Sequence, residues 1–134
     1  MSYTNIVTSF LQDDNKILIL KRSDRVKSMK GLWAGVSGII ENNEIPINRA
    51  KIEIWEETGI EEMQIALLKS VKEMRVRAPQ YKNHEWNIFP FLFQVDNPKI
   101  KLNWENSEYR WIDPAEITNY ETVPSLENIL SNLL

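Results

Sequence analysis

All four glycines of this chain, Gly31, Gly35, Gly38 and Gly59, fall between residues 31 and 59, so tight turns and close backbone approaches concentrate there. Inside that window Pro46 suits the first turn of a helix and Gly59 its stop, which predicts a helix over 46–58. On a helical wheel Ile47, Ala50 and Ile54 form an apolar stripe, and Glu53, Glu56 and Glu57 share a neighbouring arc of about 100°. Such a helix docks on a sheet through the stripe and aims its acids along the edge of the contact. In isolation, like charges at these spacings repel by roughly 0.2–0.5 kcal/mol per pair, a cost that a bound divalent cation reverses. Magnesium suits such a site best, being hard and oxygen-seeking, with manganese as the second choice. A solvated acidic helix face is the competing reading.

Composition narrows the chemistry further. The chain has no cysteine and one histidine, His84, which excludes disulfides, thiolate sites and histidine-built zinc centres. Chemistry must then run on carboxylates, hydroxyls, amines and an oxygen-loving metal. A net charge of −3 argues against stable nucleic-acid binding, but the charge is patterned. Residues 41–62 carry seven acids and two bases, whereas 21–30 and 69–82 each carry five bases against one acid. An acidic patch bracketed by basic ones suits a multivalent cation together with an anionic substrate.

Along the rest of the chain, Ile6–Leu11 and Lys16–Arg22 read as strands joined by an Asp13-Asp14-Asn15 turn, and residues 23–32 as a basic loop. Strands are also expected at 63–76, at 84–95 with a bulge or an edge position at Pro90, and at 108–112. Residues 114–117 read as a helical turn and 123–134 as an amphipathic helix. This order predicts an α+β sandwich forming one domain over residues 1–134. No apolar run is long enough to span a bilayer and no secretory signal is evident, so a cytoplasmic chain without membrane association is expected.

The window from Gly38 to Ile60 reads Gly38, five residues, Glu44, seven residues, then Ile52-Glu53-Ile54-Trp55-Glu56-Glu57-Thr58-Gly59-Ile60. It resembles the Nudix box of Nudix hydrolases, G-x5-E-x7-R-E-U-x-E-E-x-G-U, at every fixed position but one. The likeness extends outward through Ile17–Arg22, Trp33, Gly35 and 105–111, and covers essentially the whole chain. It implies an α/β/α sandwich around a central mixed β-sheet. Glu53, Glu56 and Glu57 become metal ligands, with Gly38 offering a backbone carbonyl, Glu44 a supporting acid and Gly59 the helix stop. The implied activity is magnesium-dependent hydrolysis of a nucleoside diphosphate linked to another group. Arg22, Arg75 and Arg77 are reasonable phosphate partners, and a homodimer is compatible with the likeness.

The departure is Ile52, which stands where the family has an arginine that holds a catalytic glutamate. Arg49, one turn earlier and i,i+4 to Glu53, is the expected stand-in. With the helix acids occupied by metal, a further carboxylate is needed to take a proton from water. Glu105, in the polar loop 103–107 and six residues before Trp111, is the first choice, ahead of Glu85 and Glu108. Tyr81, Trp86 and Trp104 are available to stack a base. Residues 75–78 lack the proline or tyrosine of some subfamilies, which leaves a MutT-like nucleoside triphosphate pyrophosphohydrolase as the default substrate class. The alternatives are a nucleotide-sugar or ADP-ribose pyrophosphatase, or a catalytically weakened nucleotide-binding or regulatory module.

Overall fold

The computed structural model describes residues 2–78 and 81–134. Its elements run β1 (Ser2–Asp13), β2 (Lys16–Arg22), β3 (Trp33–Ala34), β4 (Val36–Ile39), α1 (Pro46–Thr58), β5 (Ala66–Ser70), β6 (Met74–Val76), β7 (His84–Gln94), β8 (Asn106–Ile112) and α2 (Leu126–Leu133). Two 3₁₀ turns, Glu62–Gln64 and Pro114–Asn119, complete them. Asp14 takes a positive φ of 54° in the β1–β2 turn, where Gln12 pairs with Ile17. Small polar residues tolerate that backbone region, which is why the Asp-Asp-Asn run folds back on itself.

β1 is the axis of the sheet. It runs parallel to β7 from Ser2–His84 to Gln12–Gln94, and its other edge takes β4 antiparallel from Ile6–Ile39 to Ser9–Val36. Past the hairpin β2 diverges to pair with β3 and β8, also antiparallel. Parallel and antiparallel pairings together make the central sheet mixed, as expected.

Alternation along the strands sends side chains to two apolar layers. Val7, Leu11, Phe91 and Phe93 face α1, where Ala50 and Ile54 cover them. Phe10, Ile88 and Leu92 face α2, where Leu126, Ile129, Leu130 and Leu133 cover them. A helix on each face of one mixed sheet is the predicted α/β/α sandwich.

Two expectations need correction. The segment 63–76 is not one strand: a 3₁₀ turn, capped reciprocally by Glu61 and Gln64, precedes β5, and β6 follows separately. Both pair with β7, β6 reaching Ile88 and β5 starting at Phe91, so Pro90 falls in the gap between them. Pro90 still pairs with Thr8 of β1, but on the β5–β6 side it has no partner, which suits a proline with no N–H to give, and the register shift lies instead in β5 between Leu67 and Lys69. The C-terminal helix begins at Leu126 rather than 123, because Ser125 before it adopts a positive φ of 66°. Among the described residues no helix is long and apolar enough to cross a membrane.

Ile54 is fully buried between α1 and the sheet. Ile54→Ala should therefore lower stability by about 2–4 kcal/mol, through lost burial and an unfilled cavity. Urea denaturation checks this, with the midpoint falling and the slope unchanged.

Candidate active site

The acids of α1 sit where the wheel aims them, but two of the three are buried. The helix enters through Pro46 and ends at Gly59, whose φ of 78° lets its N–H return to the Trp55 carbonyl. Beside the docked stripe, Glu53 and Glu57 are only 8% and 3% exposed, whereas Glu56 remains exposed. β4 explains the burial of Glu53. A Cβ at Gly38 would overlap the Glu53 carboxyl group, so only glycine lets that carboxylate lie flat on the strand backbone.

Arg49 holds the two ends of this segment together. Its Nη1 donates to Glu53 Oε2 at 3.1 Å, while Nε and Nη2 donate to the two oxygens of Glu44 at 2.9 and 2.6 Å. Glu44 Oε1 also accepts from the Glu41 N–H at 2.6 Å, tying the loop before α1 to the helix. The paired Arg49 guanidinium holds Glu44 below the usual carboxylate range, and Glu44 in turn raises Arg49 above its own. Ile52 faces away, 40% exposed, on the outer side of α1. The clamp thus comes from one turn earlier than the resemblance implies.

Around Glu53 the carboxylates converge. Glu53, Glu56 and Glu105 each offer an oxygen, and the three oxygens lie within 4.8 Å of one another. Burial pushes Glu53 up, partly opposed by the Arg49 hydrogen bond and reinforced by repulsion from Glu56 and Glu105. Glu57 lies deeper: Asn106 Nδ2 donates to its Oε1 at 3.1 Å, and its Oε2 is buried with no donor among the described residues. Burial, then repulsion from Glu105 and Glu53, pushes the Glu57 carboxyl well up. Hard oxygen donors in excess, a buried carboxylate oxygen without a donor and mutual repulsion fit an oxygen-seeking divalent cation.

Glu105 reaches the cluster because its loop is fastened on both sides. Asn103 accepts from the Glu105 N–H at 3.0 Å and donates to Glu105 Oε1 at 3.1 Å. Ser23 donates its N–H to the Glu105 carbonyl and its hydroxyl to the Trp104 carbonyl, at 2.8 and 2.7 Å. Asn106, Asn103 and Ser23 were not singled out from the sequence. For Asn106 the available signal was an amide directly after a suspected acid. Glu108 is exposed and lies 3.4 Å from Lys21, and Glu85 lies 3.5 Å from Arg77. Among the described residues neither belongs to the cluster.

A cavity of about 470 Å³ opens beside these acids and runs over the α2 face of the sheet, past Ile6, Trp86, Ile88, Leu126 and Ile129. Trp104, 53% exposed, stands at the acidic end. Of the suggested stacking residues, Trp86 and Trp104 line the cavity, and Tyr81 packs edge-on against Trp86 with centroids 5.2 Å apart. Arg22 lines it too, and its Nε and Nη2 donate to the Ser28 carbonyl, which braces the basic loop. Arg75 and Arg77 do not belong there. Alternation along β6 turns Val76 into the cavity and Arg75 to the other side of the strand, and Arg77, past the end of β6, lies against Glu85.

Comparison with known proteins agrees with this arrangement. A family model described as the NUDIX domain matches residues 3–133. Nucleoside triphosphatase NudI of Escherichia coli O139:H28 is 25% identical over 126 residues, covering 90% of this chain and 89% of its own. The crystal structure of a MutT protein from Methanosarcina mazei Go1 superposes with a TM-score of 0.76 at 21% identity, over 98% of this chain and 92% of that one. The Escherichia coli dihydroneopterin triphosphate pyrophosphohydrolase gives a TM-score of 0.75 at 20% identity, over 98% of this chain and 97% of its own. At these identities the two structures speak for the fold.

The raised Glu57 carboxyl has a consequence for stability. A carboxyl whose pKa is higher folded than unfolded leaves the fold unpenalised below its ordinary value, 4.5, and costs stability as pH rises from there through the folded value. Glu57→Gln removes that cost and keeps an oxygen for the Asn106 amide. Without divalent cations, its melting temperature at pH 7 should exceed that of the wild type by about 2–5 °C. The gain should vanish below about pH 4, which thermal melts across pH would show.

Proposed function

The chain belongs to the Nudix family and is a hydrolase acting on phosphoanhydride bonds, and from that premise we propose that it hydrolyses nucleoside triphosphates to the monophosphate and pyrophosphate. The observation that carries this reading is the convergence of Glu53, Glu56 and Glu105 at the mouth of an apolar cavity lined by two tryptophans. A flat base suits the cavity, and a polyanion suits its acidic mouth once a cation is present. The NudI relative carries the name nucleoside triphosphatase, which supports the same substrate class.

In this reading Glu53, Glu56 and Glu57, with the Gly38 carbonyl, hold a divalent cation, magnesium or else manganese. When bound, the cation neutralises phosphate charge and polarises the bond to be cleaved. Arg49 fixes the Glu53 carboxylate through a planar fork that lysine could not reproduce. Glu105, fastened by Asn103 and Ser23, takes the proton from the attacking water at its carboxylate. Arg22 stands beside the phosphates at the opening of the basic loop. Trp86 stacks the base and keeps water from the apolar end. The Arg49 clamp favours an active enzyme over a weakened binding module, because the function of the missing box arginine is supplied from the preceding turn.

A pyrophosphate-release screen over nucleoside triphosphates, diphosphosugars and dinucleotides with magnesium tests the assignment. Triphosphates should be turned over fastest; phosphate or sugar-phosphate release from diphosphosugars alone would overturn it. Steady-state kinetics of Arg49→Ala test the clamp. The variant should lose roughly 10²-fold in kcat with a much smaller change in KM, because a loose Glu53 misplaces the reacting groups. Wild-type kinetics would make Arg49 a purely structural residue.

A further inference from the structure

β8 enters the site through an irregularity in its pairing. From Ile17–Ile112 to Lys21–Glu108 it follows β2 without interruption, and the next pair is Arg22–Asn106, so Ser107 is an extra residue in the ladder. Side chains alternate between the two faces of a strand, and directly paired residues share a face. Ile112 packs in the α2 layer and Arg110 lies over Trp33 and Tyr120 on that same side, which places Glu108 there as well. A regular β8 would send Asn106 after them. The bulge reverses this: Asn106 shares the face of its partner Arg22, and hence of Leu18 and Leu20, which pack with Ala50 and Ile54 of α1.

That reversal delivers the amide to Glu57. Asn106 is buried, and its Nδ2 donates to Glu57 Oε1 at 3.1 Å. Held there, the carboxylate cannot turn about its own axis without breaking the bond, so the oxygen left over is always Oε2. Oε2 is buried and has no donor among the described residues. Buried polar atoms are as a rule hydrogen-bonded, so an orphaned oxygen beside a fastened one calls for a ligand. An amide, unlike the Arg49 guanidinium on Glu53, fastens the group while leaving its negative charge undiminished for that ligand.

We propose that Asn106 is a positioning residue for the divalent cation: aimed by the β8 bulge, it holds Glu57 Oε1 so that Oε2 is the oxygen left to ligate. The proposal rests on the reading of these carboxylates as a cation site. Groups that orient a metal ligand in this way contribute roughly 10- to 100-fold to metal affinity. The effect of Asn106 passes through Glu57. An asparagine that merely satisfied a buried acid would affect the stability of the fold and leave its affinity for the cation as it is.

The experiment follows melting temperature against magnesium at pH 7 in the wild type, Asn106→Leu, Glu57→Gln and the double variant, and reads the half-saturating concentration from each curve. The melting temperature without magnesium records any loss of packing, whereas the half-saturating concentration records the cation. Asn106→Leu should raise that concentration by about tenfold or more. Added to Glu57→Gln, the same substitution should change it by less than about twofold, because both act through one group. Asn106→Ala takes the place of Asn106→Leu if leucine prevents cooperative folding. An unchanged half-saturation in the Asn106 variant, or a further tenfold loss in the double variant, overturns the positioning role and leaves the cation site standing. A wild type indifferent to magnesium and to manganese overturns both. If magnesium binding depends on Asn106 as expected but no nucleoside triphosphate is turned over, the positioning role stands and the triphosphate reading falls.

Discussion

Arg49 donates to two carboxylates at once, Glu44 in the loop before α1 and Glu53 on the helix itself, and the geometry of the acidic site depends on that bridge. Without it Glu53 would be a buried carboxylate pressed onto Gly38 and surrounded by acids. With it, one side of Glu53 is neutralised and the loop that leads from β4 into α1 is fixed relative to the helix. The bridge is i,i+4 within the helix and five residues long to the loop, so it forms locally once α1 forms.

The remaining acids are held by groups from elsewhere in the sheet. Asn106 donates to Glu57 and Asn103 to Glu105, and β8 starts at Asn106, where its register with β2 shifts at Lys21 and Arg22. Neutral amides suit this task, since they orient carboxylates without neutralising them. The result is a cluster with more negative charge than its surroundings satisfy, held rigidly beside a cavity with apolar walls. Such a cluster is unfavourable alone and favourable with a cation, so affinity for the cation and the instability of the free site have one origin.

What could be seen in the sequence was whatever depends on neighbours along the chain. Pro46, Gly59 and the wheel fixed α1 and its acids, and the i,i+4 spacing of Arg49 and Glu53 exposed the clamp. What depends on pairing between distant segments was hidden. Arg75 and Arg77 were suggested as phosphate partners, but strand alternation, which local charge does not reveal, turns Arg75 away from the cavity, and Arg77 lies against Glu85. The division of 63–76 into a turn and two strands follows from where β7 offers partners around Pro90. Asn106 meets Glu57 across 49 residues of chain, and no local pattern announces that contact.

The central claim is that the converging carboxylates are a divalent-cation site. Thermal unfolding of the wild type as magnesium is titrated in at pH 7 tests it most directly, since a ligand of the folded state raises the melting temperature in a saturable manner. The account predicts such a rise, with manganese acting similarly, and its near loss in a Glu53→Gln, Glu56→Gln double variant that still folds. A melting temperature indifferent to both ions, or an equal rise in the double variant, would contradict it.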